Sequence, residues 1–395
     1  NGSYSVTLRV TDSHGAVSAP ATATATIADV APGVTAPAAL AANVGTAVAL
    51  SATFTDPGTG DAPWAYTINW GDGSLPTTGN ASVAGAVGGS HAYGAPGVFT
   101  ATVTVTDKDG SGGSASTTVT VTQQQVATVT ALVAGNIARC DRTNDEATEA
   151  VLDTIPGSVM ALGDNAYPNG TAANFQTCYN PSWGRVLART YPVAGNHEYD
   201  SSTTAAPYFA YFGAVAGNPA QGYYSFDLGA WHIVVLNSNS SFVPTAVGSA
   251  QETWLKNDLA ASTKKCQLAL FHHPRFYSTT ATSFSPTASV KPFWDDLYAA
   301  GAELIVNAHM QDYERFAPQT SAGAADPANG IREIVVGTGG AGLDAPNTLI
   351  IANSEARVSG VYGVLKLTLA DGSYSWQFLP VAGQTATDSG SGTCH

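Results

Sequence analysis

Charged side chains are scarce in this 395-residue chain, 11% of the total, where an ordinary soluble domain carries about 25%. That shortage argues against a cytosolic enzyme. The Thr, Ser, Ala, Gly and Val that fill the space suit an extracellular or cell-surface, β-rich protein. Basic residues are the rarest: 15 Lys and Arg stand against 29 Asp and Glu, a net charge of -14. A chain so poor in cations offers little to a phosphate backbone or an anionic membrane surface, so nucleic acid is not an expected partner. Membrane insertion is not expected either, because no apolar run approaches the roughly 18 residues of a spanning helix. No signal peptide opens the chain. It begins in mid-pattern, and its natural N-terminus is expected further upstream.

Cysteine is also sparse. Cys140, Cys178, Cys266 and Cys394 form an even set with no CxxC spacing, which argues against a zinc knuckle. In an oxidising compartment two disulfides are expected, and the sequence alone allows three pairings. Cys140 with Cys178 and Cys266 with Cys394 is the favoured one, the second bond pinning the C-terminal tail to a central strand.

The length accommodates two or three domains. Residues 1–28 alternate apolar and polar positions (YSVTLRV, ATATATI) around the turn DSHG, as the last hairpin of a β-sandwich would. A fuller copy spans 30–122, and its end, GVFTATVTVTDKDGSGGSASTTVTV, mirrors GSYSVTLRVTDSHGAVSAPATATATI. That is an internal repeat of a sandwich module. Trp70-Gly71-Asp72-Gly73, then His91-Ala92-Tyr93 and VTVTD, resemble the signatures of PKD (polycystic-kidney-disease) Ig-like repeats. The resemblance implies an extracellular spacer or adhesive role without catalysis. Asp56, Asp61, Asp107 and Asp109 lie in turn sequences; they read first as turn formers, with Ca2+ as the ion they could take. Because an isolated hairpin is marginal in water, residues 1–28 are expected to be completed, either by upstream repeats of a stalk or by strands of another subunit in self-assembly.

Residues 123–126 read as a linker, and from Val126 strands alternate with helices. Helices are expected over 144–155, 174–190, 249–262 and 289–300, and hairpins over 223–236 and 362–379. The hairpins make the sheets mixed. The fold class is therefore multidomain: PKD/Ig-like β-sandwich repeats, then a two-sheet α/β sandwich over 127–395.

Four apolar runs in this second part each end in a metal-capable side chain: VMALGDNAY (159–167), YPVAGNHE (191–198), LALFHHPRF (268–276) and LIVNAHMQDYER (304–315). Polar groups just past strand ends are where α/β sheets keep ligands. Asp164, Tyr167, Asn196, His272 and His309 are the donors a hydrolytic metal centre asks for. The order GDNAY, GNHEY, HHPRF, YERFAP and REIVVGTGG resembles calcineurin-like metallophosphoesterases, in particular the purple acid phosphatase-like branch, over about 127–395.

The resemblance implies a two-sheet fold and hydrolysis of phosphoric esters on two metals. It makes Asp164 the bridging carboxylate, Tyr167 a ligand of metal one, and Asn196, His272 and His309 ligands of metal two. His197 would meet the substrate phosphate or its leaving oxygen, and Glu198 would orient His197. His273 falls at a variable position and is left outside the ligand set.

Two departures touch metal one. Asn136 stands where the family has Asp, and Gln311 where it has a second His, both expected to face a point beside metal two. A neutral amide is a poor substitute for carboxylate or imidazole. One transition metal (Zn, Fe or Mn) is thus expected at metal two, with the second weak or absent and hydrolysis of a phosphate ester impaired. The alternative is a pseudoenzyme serving as a structural or adhesive module. A carbohydrate-active enzyme fits poorly, since no paired carboxylates stand at comparable strand ends.

Overall fold

Alternating Tyr4, Val6 and Leu8 place one apolar face on β1 (Gly2–Leu8), which pairs antiparallel with β2 (Ala21–Ile27), Gly2 opposite Ile27 and Leu8 opposite Ala21. The computed structural model describes residues 1–58, 60–123 and 127–395; apart from Gln123, the expected 123–126 linker lies outside them. The chain divides into two compact units, residues 1–125 and 126–395. Every residue of β1 and β2 is exposed, Tyr4, Val6, Leu8 and Ile27 included.

The rest of the first unit is a sandwich. One sheet has the order β4-β10-β9-β6-β7 and the other β3-β5-β8, built from β3 (Gly33–Thr35), β4 (Ala39–Asn43), β5 (Ala47–Thr55), β6 (Trp64–Asn69), β7 (Thr77–Ala81), β8 (Ala86–Ala92), β9 (Gly97–Thr106) and β10 (Gly112–Thr122). Its period-two pattern works as a sheet requires: Val48, Leu50, Ala52 and Phe54 of β5 turn inward onto Val103, Val105, Val119 and Val121 of the facing sheet.

The second unit holds two mixed sheets. A six-stranded sheet runs β13-β12-β11-β21-β22-β23 and a seven-stranded one β14-β15-β16-β17-β19-β18-β20. Parallel strands form one half of the first, β11 (Val129–Ala134), β12 (Ser158–Leu162) and β13 (Thr190–Val193), and the centre of the second, β15 (Trp231–Val235), β16 (Cys266–Leu270), β17 (Leu304–Asn307) and β19 (Arg332–Val336). Antiparallel strands flank them: β14 (Tyr224–Leu228), β18 (Tyr313–Phe316), β20 (Ser354–Val358), β21 (Gly363–Ala370), β22 (Ser373–Pro380) and β23 (Ser389–Thr393). β16 is buried on both faces. Leu268 and Leu270 join the core between the sheets, while Ala269 and Phe271 pack with Leu255, Phe293, Trp294 and Leu297 of the covering helices.

The helix at Ala250–Ala261 begins at Ser249, whose hydroxyl accepts the Glu252 N–H. Helices Asn144–Asp153 and Lys291–Ala299 fall within their expected spans. The helix expected over 174–190 does not form as one piece. A short turn at Ala172–Asn174 runs into a wide π turn, Phe175–Tyr179, and a 3-10 segment restarts at Trp183. Pro181, which lacks an N–H, sits in the gap.

Disulfides join Cys140 to Cys178 and Cys266 to Cys394. The second ties the start of β16 to the residue after β23, linking the two sheets.

Candidate metal centre

The parallel strands end on one rim, and their next residues turn sharply. Asn136 follows β11, Asp164 follows β12, Asn196 and His197 follow β13, His272 and His273 follow β16, and His309 follows β17. Asn136, Asp164 and His309 are in the left-handed region, φ 56°, 52° and 65°, a strain of about 1–3 kcal/mol each that clusters at functional sites. Backbone hydrogen bonds hold them there, Asn136 N–H to Gly163 O at 3.0 Å and Ile137 N–H to Asp164 O at 2.9 Å. Glycine allows the loops to close. A Cβ on Gly195 would fall 2.2 Å from Asp164 N, and one on Gly163 2.7 Å from His272 Nδ1.

Four donor atoms meet behind these turns. His272 Nε2 lies 3.2 Å from Asp164 Oδ2, 3.2 Å from Asn196 Oδ1 and 3.3 Å from His309 Nδ1, which is itself 3.1 Å from Asn196 Oδ1. His272 Nδ1 faces Leu162 O at 2.8 Å and must carry a proton there, so Nε2 is the nitrogen turned to the other donors; without a metal, and against burial, Asp164 favours a second proton on it. Such a convergence of lone pairs is repulsive until a cation or proton enters it. Ligands about 2.0–2.2 Å from one ion stand about 3.3 Å apart in a tetrahedron, so these residues fit a metal.

The electrostatics agree. Burial alone would raise the Asp164 carboxyl, but the His272 ring and His197 hold it below the usual carboxylate range. Burial and the neighbouring His272 push His309 down to about 4, so its ring is neutral at ordinary pH. Burial and Asp164 push the Tyr167 phenol up, and the group stays protonated.

On the metal-one side Tyr167 OH stands 3.1 Å from Asp164 Oδ2 and 2.7 Å from Asn136 Nδ2. Asn136 Oδ1 accepts the His309 N–H at 2.9 Å. Gln311, expected to face the same point, makes no side-chain hydrogen bond to Asn136, Asp164 or Tyr167 among the described residues. Its backbone N–H is held by Asp344 Oδ2 at 2.7 Å, and its Oε1 lies beside Gly342.

His197 is partly exposed, its side chain at 30%; its N–H donates to Asp164 Oδ1 and its ring packs against Tyr167 at 4.4 Å. Glu198 does not orient it. The Glu198 carboxylate is fully buried and accepts the N–H groups of Asp164, Asn165 and Gly195 at 2.9, 2.8 and 2.7 Å, stitching two rim loops together. The atoms that hold His197 Nδ1 are Pro168 O at 2.6 Å and Asp200 Oδ2 at 2.9 Å. Burial and Asp164 push Glu198 up to about 7.

His273, left aside in the sequence reading, lies beside the donors: one nitrogen from each of His272, His273 and His309 falls within 4.8 Å of the others. It also lines a cavity of about 180 Å3 with Asn196, Ser238, Asn239, Phe242 and Ser289. The doubled HH of HHPRF was the signal for it.

Residues 29–122 match the PKD domain family and residues 141–313 the calcineurin-like phosphoesterases. The two matches follow one another along the chain, a PKD domain and then a calcineurin-like phosphoesterase domain. The second match contains Asp164, Tyr167, Asn196, His197, His272 and His309 and starts after Asn136. Arabidopsis thaliana purple acid phosphatase 15 is 27% identical over 216 residues, 46% of this chain and 40% of that protein. Purple acid phosphatase 13 of the same plant is 30% identical over 173 residues, 37% of this chain and 31% of its own. The chain thus spans less than half the length of these two relatives. A purple acid phosphatase from yellow lupin (Lupinus luteus) seeds shares the fold, with a TM-score of 0.55 at 15% identity over 98% of this chain and 79% of that one.

In the PKD domain the signature residues support one another. Trp70 and Tyr93 are buried, Tyr93 OH donates to Trp70 O at 3.0 Å, and His91 stacks on Trp70 and meets Asp72 at 2.6 Å. Of the turn carboxylates, Asp61 and Asp107 gather with Asp29 within 4.8 Å, whereas Asp56 is taken up by Trp64 Nε1 and Gly58 N–H, and Asp109 pairs with Lys108.

Proposed function

We propose that the protein is an extracellular phosphoric-ester hydrolase of reduced capacity, in which Asp164, Asn196, His272 and His309 hold one metal firmly and a second is weak or absent. The observation that carries this is the set of 3.1–3.3 Å contacts that joins His272 Nε2 to Asp164 Oδ2, Asn196 Oδ1 and His309 Nδ1, and His309 Nδ1 to Asn196 Oδ1. The family resemblance supplies the expectation of two metals, Zn, Fe or Mn, and of a phosphate ester or phosphate-like ligand. A bound metal would polarise a phosphoryl oxygen and activate a water molecule.

The chain's own residues do the rest. His197, steadied by Pro168 O and Asp200, is exposed beside Asp164 and meets the leaving oxygen. Tyr167 and Asn136 border Asp164 on the other side. Metal analysis of the purified protein, with p-nitrophenyl phosphate hydrolysis under added divalent ions, tests the reading. One metal per chain and slow, metal-dependent turnover is expected; no bound metal would end it.

A pseudoenzyme serving as a structural or adhesive module is favoured by one observation. Both ends of the Asn136 amide are engaged within the protein, by Tyr167 OH and His309 N–H. Domain limits of 30–122 and 127–395 fit either reading. So does self-assembly through the exposed apolar face of β1 and β2. Asp29, Asp61 and Asp107 are the place for a calcium ion, should the sandwich take one.

A further inference from the structure

We propose that His273 is a third imidazole ligand, closing with His272 and His309 a three-histidine metal site. The inference rests on the metal-centre reading above and adds a residue to it. The ring centres stand 5.0 Å apart for His272 and His273, 4.5 Å for His273 and His309, and 5.1 Å for His272 and His309. A nitrogen about 2.0–2.1 Å from an ion puts its ring centre about 3.2 Å out, so three tetrahedrally placed imidazoles have centres about 5 Å apart. The three rings therefore already have the separation that one shared ion would impose.

Each of the two neighbouring histidines also has its outer nitrogen anchored. His272 Nδ1 faces Leu162 O and His273 Nδ1 faces Ser238 Oγ, both at 2.8 Å. Ligating histidines characteristically use the second ring nitrogen in this way, which fixes the ring and leaves Nε2 for the metal. Ser238 is held in place for the task, accepting the His273 N–H at 3.0 Å. The consequence is a shift of nitrogen within the centre. The last motif lacks its second histidine, Gln311 standing there instead, and His273 brings an imidazole to the opposite flank. A centre of three imidazoles with Asn196 and Asp164 prefers borderline metals such as Zn2+ over Mn2+.

The full chain, stripped with a chelator, is titrated with Zn2+ by calorimetry and with Co2+ by visible absorption, and compared with His272→Ala, His273→Ala and Ser238→Ala. Thermal melts establish that each variant is folded. His273→Ala is expected to bind Zn2+ more than about 100-fold more weakly and to lose Co2+ absorption, with Ser238→Ala about 10–100-fold weaker, as expected for an outer partner. Unchanged Zn2+ affinity and Co2+ spectrum in His273→Ala, beside a loss in His272→Ala, would overturn the third ligand and leave the metal centre standing. Parent-like binding by both variants would remove the centre itself. Electron spin-echo counting of imidazoles on Cu2+ in the unaltered protein needs no variant: three support the proposal and two refute it.

Discussion

The Asn136 side-chain nitrogen stands 2.7 Å from Tyr167 OH and 3.5 Å from Asp164 Oδ2, in the space a carboxylate would hold in the resembled family. A carboxylate there would face Asp164 with nothing between them but a metal. Asn136→Asp is therefore expected to lower the stability of the metal-free protein, by about 1–2 kcal/mol for a buried like-charge contact, and to regain it when metal is added. Urea unfolding with and without chelator measures both arms. Equal stability in all four conditions would mean that no second metal position exists.

The double change Asn136→Asp with Gln311→His returns a carboxylate and an imidazole to that side. On the impaired-hydrolase proposal, p-nitrophenyl phosphate turnover should rise on the order of a hundredfold, since two charge-stabilising contacts of the transition state commonly contribute several kcal/mol. Gln311 sets the harder condition, because its side chain now lies toward Gly342, and the new imidazole must turn back to the rim. Brisk hydrolysis by the unaltered protein, unmoved by the double change, would defeat the impaired-enzyme reading.

Glu198 separates a structural from a catalytic role. Its two oxygens accept three backbone N–H groups, so Glu198→Gln places an amide NH2 against N–H donors in a fully buried pocket. An unsatisfied buried donor costs about 1–3 kcal/mol, and the variant should lose at least that in urea unfolding. Lost turnover with parental stability would restore the catalytic role.

The strand ends were readable because each repeats one pattern, an apolar run broken by a glycine, an asparagine or, in LALFHH, the histidines themselves, and buried parallel strands have that texture. The break in the 174–190 helix was also present in the sequence, at Pro181. What could not be read is how a side chain is spent once it arrives. Nothing in GNHE distinguishes a Glu that orients His197 from one that binds the N–H groups of another loop. Nothing in HHP tells which of two adjacent imidazoles turns inward, because that depends on Ser238, which arrives from just past the end of β15, 35 residues earlier.

The covalent structure gives a sharper test. With both cysteine pairs bonded, thiol labelling under denaturing, non-reducing conditions should find no free thiol. Cys266→Ala should then free Cys394 and leave Cys178 unlabelled. Because that bond closes a separation of 128 residues, the variant should also lose about 2–5 kcal/mol of stability.

Acidity should stabilise part of the second unit, and Glu303 shows the sign. Its side chain is buried; Oε2 accepts the Gln267 N–H at 2.6 Å while Oε1 has no hydrogen-bond partner among the described residues, and burial pushes the carboxyl up to about 7. The unfolded chain releases this proton near 4.3, so between those values the native state holds a proton that the unfolded state has lost. The stabilisation is complete below about pH 4 and disappears as pH rises through about 7. Asp145, pushed up to about 7 by burial, acts in the same direction, as does His232, raised by its hydrogen bonds to Asp258 and Asp227 against burial. Burial holds His309 and His273 low, and these oppose the trend. The net slope of the parent is therefore a poor test, and a variant isolates the group. Glu303→Gln keeps an oxygen for the Gln267 N–H and never ionises. In chelator-treated protein it should match the parent at pH 4 and exceed it at pH 8 by on the order of 2–4 kcal/mol in urea unfolding. A variant less stable than the parent at pH 8 would mean that the native state favours the ionised carboxylate, with the Glu303 value lowered rather than raised.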